Sequence, residues 1–221
     1  MNKKVRAVLC DADGTLIDSY THGLYKMREC AKRFGFEYEE AYAVMHWGMK
    51  MRDFLELCFP GITEEQYLGM MKIFDDLDFE TPPGAIDGVA AVIELLRAEG
   101  VVFTIVTSRD SVTLDHILKH NDIHHHFEHI ASEDTVEFVK PDPRVFDCTV
   151  RMLTDRGIGT DECLFIGDTH KDFEAGISFG FRTVIVKTGP LSGPDERIPE
   201  EDHIQSFAEL PEWMRRNGIH P

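Results

Sequence analysis

Short apolar runs at 5–10, 101–106, Phe127–Ala131, Cys163–Gly167 and Arg182–Val186 alternate with segments of helical periodicity. That rhythm limits the chain to very few folds. The stretch 88–99 places Val89, Val92, Ile93 and Leu96 on one helical face, and Gly100 suits its C-terminal stop. Further helices are expected over Ser111–His120, 143–156 and His170–Phe179. A strand followed by a helix and another strand closes almost always as a right-handed parallel unit. Repeated along the chain, this unit gives an α/β fold: a doubly wound, mostly parallel, Rossmann-like sheet with helices on both faces.

Residues 19–82 break the rhythm. They hold no convincing strand and read as helices over about 20–34, 39–57 and 63–77. The turn signals Phe34-Gly35-Phe36 and Pro60-Gly61 separate these helices, and Thr81-Pro82-Pro83-Gly84 closes the block. The expected organisation is a core domain of 1–18 and 83–221 with an inserted α-helical cap domain of 19–82. Insertions at the carboxyl edge of a parallel sheet usually face the ligand. Residues 187–202, rich in Gly, Pro and acids, are expected as loop, with Ser206 as N-cap of a short helix reaching Trp213-Met214.

The formal net charge of −17 argues against nucleic acid as a partner, because contacts to a phosphate backbone need basic surface. It also sets a condition: an anionic ligand is repelled at long range, so its site must carry specific cations. No apolar stretch approaches the ~20 residues that span a bilayer, so no membrane partner is expected. Met1-Asn2-Lys3-Lys4 leads into the first run without a signal-peptide pattern. The five cysteines (Cys10, Cys30, Cys58, Cys148, Cys163) form no C-x-x-C pair and read as small buried hydrophobes in a reducing, cytoplasmic compartment. The pattern is compatible with a monomer or a homodimer.

Polar residues recur where the runs end. Asp11-Ala12-Asp13-Gly14-Thr15 follows the first, Thr107-Ser108-Arg109 the second, and Asp168 and Asp172 the fourth. Lys140 follows the third at some distance, in Val139-Lys140-Pro141. In a doubly wound sheet these carboxyl ends converge on one crevice. Alternation along an extended chain sends Asp11 and Asp13 to the same side, where like charges need a cation between them or a retained proton. Simpler readings stay open for single residues. Asp168 could be a helix N-cap, Asp172 a first-turn acid favoured by the helix dipole, and Lys140 a surface lysine.

Taken in order, D-x-D-G-T, T-S, K-P and G-D-x-x-x-D resemble the four motifs of the haloacid dehalogenase-like hydrolases. The resemblance covers nearly the whole chain, with the helical insertion corresponding to that family's cap. It implies that Asp11 is a nucleophile attacking phosphorus to form an aspartyl-phosphate. Asp13 would protonate the leaving alkoxide and later deprotonate water. Thr107 and Ser108 would donate to the phosphoryl oxygens, and Lys140 would supply the cation that the acidic composition demands. Mg²⁺, a hard cation, would be held by Asp11, the Asp13 main-chain carbonyl and Asp168, with Asp172 near the ion or its waters. Gly14 permits a turn that a side chain would obstruct.

Asp13 argues against carbon–halogen cleavage, which needs no acid for its leaving group. The expected activity is that of a Mg²⁺-dependent phosphatase for a small phosphorylated metabolite, similar to phosphoglycolate phosphatases. A β-phosphoglucomutase-like sugar phosphomutase uses the same motifs and is the alternative; a catalytically idle binding module is a third reading. Substrate specificity is assigned to Arg109 and, in His46-Trp47-Gly48-Met49-Lys50-Met51-Arg52, to Lys50 or Arg52. A solvated helix face accounts for the last two equally well. His124-His125-His126 lacks a geometry that puts three consecutive imidazoles on one metal ion. Asp75, Asp76 and Asp78 read as a solvated charged patch.

Overall fold

The computed structural model describes residues 3–47, 49–188 and 197–221. The chain opens with strands β1 (Lys3–Lys4) and β2 (Ala7–Cys10). Helices α1 (Ser19–Phe34), α2 (Glu40–Met45), α3 (Met51–Cys58) and α4 (Glu64–Glu80) come next. Then follow α5 (Val89–Ala98), β3 (Val102–Val106), α6 (Ser111–His120), β4 (Phe127–Ala131), α7 (Asp147–Asp155) and β5 (Cys163–Gly167). The chain ends with α8 (His170–Phe179), β6 (Arg182–Val186), β7 (His203–Ile204), α9 (Leu210–Arg216) and β8 (Ile219–His220). These elements form two compact units: Met1–Asp18 with Gly84–Pro221, and Ser19–Pro83. No helix among the described residues is long and apolar enough to cross a membrane.

The larger unit is built on a six-stranded sheet in the order β4-β3-β2-β5-β6-β7, parallel throughout. β1 and β8 pair separately. Side chains alternate across the sheet as strand geometry requires. Val8, Cys10, Phe103, Ile105, Leu164 and Ile166 bury one face, with α5, α6 and α9 contributing Ile93, Leu114, Ile117 and Trp213. Ala7, Leu9 and Phe165 bury the other, with Phe146, Leu153 and Ala175. Both faces being covered explains why these strands read as unbroken apolar runs. Register then does the positioning. Cys10 lies opposite Ile105 and Ile166, and Val106 opposite Ala131, so the residues that follow leave the sheet at a single edge.

The expected helix over 143–156 is divided. Pro143–Phe146 is a 3-10 turn, capped by the Asp142 side chain accepting from the Arg144 amide at 3.0 Å, and α7 follows it. Phe146 anchors this turn by packing edge-on against Phe165, at 4.8 Å between ring centres, and Phe181, at 5.0 Å. That anchoring fixes the segment carrying Lys140. Three short elements escape hydrophobic periodicity because two or three residues cannot show it: β7, β8 and the 3-10 turn Phe207–Glu209 that precedes α9. Ser206 makes no side-chain cap bond there. In the expected loop at 187–202, residues 189–196 lie outside the described residues. Among the cysteines, Cys148 is exposed and Cys58 half-buried, so burial holds for three of the five.

The smaller unit has its own core: Leu24 and Met27 of α1, Phe54 and Leu55 of α3, Phe59, and Met70, Phe74 and Leu77 of α4. Thr63 starts α4 with a reciprocal capping box, accepting from the Gln66 amide while its own amide donates to the Gln66 side chain. The expected helix over 39–57 is two helices, α2 and α3; Gly48, between them in sequence, lies outside the described residues. The acidic patch on α4 is likewise divided. Asp76 faces solvent and pairs with Lys72 at 2.7 Å. Asp78, one turn beyond the core residue Phe74, is turned inward and buried. It accepts from His22 at 3.0 Å and pairs with Lys26. A buried carboxylate needs such partners, and the two basic groups come from α1.

Candidate active site

β2 delivers Asp11 at the carboxyl edge, where its amide donates to the Ile166 carbonyl at 2.8 Å. The chain then turns sharply: the amides of Leu16 and Ile17 both donate to the Ala12 carbonyl, at 2.9 and 3.0 Å. Gly14 sits at φ +73°, and a Cβ there would lie 2.2 Å from Oδ2 of Asp168. Only glycine allows both the left-handed backbone and that approach. The Thr188 hydroxyl donates to the Gly14 carbonyl and ties the end of β6 to this turn.

The two leading aspartates take different partners, while Asp13 stays close enough for its charge to raise the Asp11 carboxyl. Asp11 is buried and accepts from Lys140 Nζ at 2.6 Å. Asp13 is partly exposed and forms a bidentate pair with Arg109: Nε to Oδ2 at 3.0 Å and Nη2 to Oδ1 at 2.6 Å. Each carboxylate thus has its own cation rather than a shared one.

Lys140 bridges two acids. Its ammonium also donates to Asp172 Oδ1 at 2.6 Å. The remaining oxygen of Asp172 accepts from the amide and hydroxyl of Thr169. Thr169, not Asp168, is the N-cap of α8, in a capping box with Asp172. Gly167 makes room for this arrangement, since a Cβ there would lie 2.4 Å from that of Asp172. Asp168 is thereby freed from the capping role and has no hydrogen-bond or ion-pair partner among the described residues.

Burial pushes the Asp11 carboxyl up to about 7; Lys140 opposes the rise, while Asp172 and Asp13 add to it. Burial also raises Asp168 well above the carboxylate range, reinforced by Asp172 and Asp11. Lys140 is held above its ordinary value because Asp11 and Asp172 outweigh a burial that disfavours its charge. Oxygens of Asp11, Asp168 and Asp172 lie within 4.8 Å of one another. Four carboxylates meet two cations at this edge, leaving two negative charges that the described residues do not neutralise.

The neighbouring strand end brings Thr107 and Ser108. Thr107 is buried, its amide donating to the Ala131 carbonyl at 2.9 Å and its hydroxyl accepting from the Arg109 amide at 3.3 Å. Ser108 is exposed on the same turn. Beyond it, Asp110 caps α6, and Asp134 accepts from the amide and hydroxyl of Ser111 and from the Ser132 hydroxyl. Those bonds lower the Asp134 carboxyl to about 2.

Arg52 and Lys50 belong to the smaller unit. In the smaller unit Arg52 is engaged by Glu56 at 2.9 Å and by Glu64, with its guanidinium 4.5 Å from the centre of the Tyr67 ring. Lys50 is the exposed residue before α3. The three consecutive histidines face three different carboxylates: His124 faces Asp115, His125 faces Asp122 and His126 faces Glu94. Sequence reasoning had no signal for Thr188 or for Asp172 as the second partner of Lys140, because both depend on the spacing of strands in three dimensions.

The site thus gathers Asp11, a buried lysine and a second acidic pair at the carboxyl edge of a parallel α/β sheet. The sequence profile of the haloacid dehalogenase-like hydrolases matches residues 8–186, and the chain belongs to that family. It is 26% identical over 219 residues to a phosphoglycolate phosphatase of Aquifex aeolicus, covering 92% of this chain and all of that protein. It is 25% identical over 197 residues to the pyrophosphatase PpaX of Bacillus mycoides, covering 83% of this chain and 84% of that one. A crystal structure assigned as a β-phosphoglucomutase from Thermotoga maritima superposes with a TM-score of 0.78 at 19% identity, covering 96% of this chain and 99% of the other. That structural likeness establishes the shared fold.

Proposed function

We propose that this phosphatase hydrolyses small phosphate monoesters through an aspartyl-phosphate on Asp11, with a divalent cation, Mg²⁺, bound at the carboxyl edge of the sheet. The observation that carries the reading is the buried Asp11–Lys140–Asp172 chain lying beside Asp168, an acid with no partner among the described residues. The donor set suits a hard cation: oxygen ligands in a small cluster, two uncompensated negative charges, and two carboxyls whose raised proton affinity a cation would reverse. Asp11, Asp168 and the Asp13 carbonyl would hold it. Asp172 would lie at its margin, since both Asp172 oxygens already serve Lys140 and Thr169. When bound, the cation supplies charge neutralisation between the carboxylates and the incoming phosphate dianion.

The chain's own groups account for the rest. An Asp11 oxygen attacks phosphorus as the ester P–O bond breaks, and Asp13 gives its proton to the leaving oxygen. Asp13 then takes a proton from water, whose oxygen attacks phosphorus and releases phosphate from Asp11. Lys140 keeps Asp11 oriented and offsets charge on the transferring group, while the Thr107 hydroxyl and the Ser108 amide supply fixed donors. The small insertion-borne unit serves as a cap in this reading. The relatives' names make 2-phosphoglycolate and pyrophosphate the first substrates to try. Phosphate release should be measured from p-nitrophenyl phosphate and a panel of phosphorylated metabolites, after chelation and on restoring Mg²⁺. Hydrolysis that returns with Mg²⁺ and is lost in Asp11→Asn is expected. Retention of turnover in Asp11→Asn, or no hydrolysis of any ester with the metal restored, would overturn the reading.

A further inference from the structure

The two donors assigned to the phosphoryl oxygens, Thr107 and Ser108, sit on a turn that is anchored at both ends. The Thr107 amide donates to the Ala131 carbonyl at 2.9 Å, and the Arg109 carbonyl accepts from the Glu133 amide at 3.1 Å. Between these anchors the Thr107 hydroxyl accepts from the Arg109 amide at 3.3 Å. The proton of that hydroxyl and the Ser108 amide have no acceptor among the described residues, so both are available to an incoming anion. Val106 faces Ala131 in the last rung of the β3–β4 ladder, and nothing in the sheet itself holds the two chains together beyond it. Asp134 continues the ladder with its side chain. Its Oδ1 accepts from the Ser111 amide at 2.9 Å, and its Oδ2 from the Ser111 hydroxyl at 2.6 Å. The fully buried Ser132 aims the carboxylate: its hydroxyl donates to Oδ1 at 2.8 Å, while its amide donates to Thr135 Oγ1 at 2.8 Å.

We propose that Asp134 is a positioning residue for phosphoryl transfer: it touches no reacting atom, but it fixes the turn so that the Thr107 hydroxyl and the Ser108 amide meet the transferring group without rearrangement. This inference rests on the phosphatase reading above. Ordinary structural duties do not account for Asp134. The helix α6 has its own N-cap in Asp110, which accepts from the Thr113 amide at 2.9 Å. The core does not need Asp134 either, since the residue is exposed and its loss opens no buried cavity. What its bonds do hold is the far end of the donor turn. They lower its carboxyl to about 2, so it stays an anion that only accepts. Donors stabilise a transition state to the extent that they are oriented beforehand. Removing one such donor costs roughly 10²–10³ in rate, and misplacing a group by about 1 Å costs up to roughly 10². A turn loosened at Ser111 keeps its donors and loses their orientation. The segment that carries Asp134 also leads on to Lys140, so the same carboxylate ties the donor turn to the stretch that delivers the buried cation.

The test uses the full Mg²⁺-loaded chain with p-nitrophenyl phosphate as substrate, and orthovanadate and inorganic phosphate as inhibitors. In Asp134→Ala, kcat should fall about tenfold or more, with KM changed by less than about threefold. Asp134→Asn should lie between the two, because its side-chain carbonyl still accepts from the Ser111 amide and the Ser132 hydroxyl. Orthovanadate, which takes the five-coordinate geometry of the transition state, should bind Asp134→Ala about tenfold more weakly, while inorganic phosphate weakens by less than about threefold. Ser111→Ala should lose part of the rate by itself and cost less than about twofold more when added to Asp134→Ala, since the two residues act through one contact. A carboxylate that merely stabilises the fold would lower Tm and leave kcat and the vanadate-to-phosphate ratio unmoved, and that result overturns the proposal. Losses of Ser111→Ala and Asp134→Ala that multiply in full overturn it as well. Should Asp134→Ala fail to fold, Asp134→Asn and Ser111→Ala carry the same comparison, and wild-type kcat and vanadate affinity in both overturn it. These outcomes leave the phosphatase reading standing as long as the wild type hydrolyses the ester. A wild type that neither hydrolyses it nor binds vanadate refutes that reading and the role of Asp134 with it.

Discussion

Replacing Asp11 by Asn should abolish turnover and, at the same time, make the metal-free protein more stable. Burial raises the Asp11 carboxyl from 3.8 to about 7. Between those values the folded protein holds a proton that the unfolded chain has released, so stability falls as pH rises through this window. At ~1.4 kcal/mol per pH unit, the full penalty is about 4 kcal/mol, reached near pH 8, with under about 2 kcal/mol already present at pH 5. Asn does not titrate, keeps a side-chain carbonyl that can accept from Lys140, and leaves Lys140 its second partner, Asp172, at 2.6 Å. Taking Asn as equivalent to protonated Asp, the variant gains that difference. For a chain of this size about 4 kcal/mol corresponds to roughly 8–16 °C in Tm. The assay is thermal unfolding by circular dichroism in EDTA at pH 5 and pH 8, for wild type and Asp11→Asn. The gap should widen with pH, and Mg²⁺ should narrow it by stabilising the wild type, since ligand at about 100-fold its Kd adds ~2.7 kcal/mol. A variant no more stable than wild type at pH 8 in EDTA, or a gap that does not grow with pH, refutes the argument that desolvation dominates at Asp11.

Two further outcomes test the metal cluster. Mg²⁺ affinity should fall by about tenfold per pH unit below pH 7 for each proton it must displace, because Asp11 titrates near 7 and Asp168 is also raised; calorimetry at pH 6, 7 and 8 checks this, and a flat affinity contradicts it. Gly14→Ala places a Cβ 2.2 Å from Asp168 Oδ2 at a positive φ. The Cβ must push Asp168 out of that place, which should weaken Mg²⁺ binding by about tenfold or more, with a separate backbone cost of roughly 1–2 kcal/mol in stability, while the far-ultraviolet spectrum stays native; unchanged affinity contradicts that placement of Asp168.

What could be read in the sequence followed from how far each signal extends along the chain. The five long strands and the helices Ser111–His120 and His170–Phe179 repeat an apolar pattern over several residues, and the structure has them at the expected positions. β7 and β8 have two residues each and carry no period. Three of the four motif segments were legible because they sit at strand ends, which a parallel sheet brings to one edge whatever lies between them, while Lys140 lies well beyond the end of β4. Their pairings were not legible. Asp11 with Lys140 spans 129 positions and Asp13 with Arg109 spans 96, and no local rule decides which cation serves which acid. Asp78 shows the same limit on a smaller scale. Its helix predicts a solvent-facing acid by composition, but the turn-to-turn spacing from Phe74 carries it inward to His22 and Lys26.

The acidic composition and the cation requirement meet at the edge of the sheet. A chain of net charge −17 repels an anionic substrate, so its site must reverse that field locally. The two cations that could do so are both engaged by carboxylates, Lys140 with Asp11 and Asp172, Arg109 with Asp13. Lys140 is held between two acids on a rigid support and can attract phosphate only if something else neutralises Asp11 and Asp172. Asp168, which has no partner among the described residues, would help hold the divalent cation that the proposed reading puts there. The acidic cluster therefore implies one condition for turnover in the proposed reading, a metal that would release Lys140 toward phosphate.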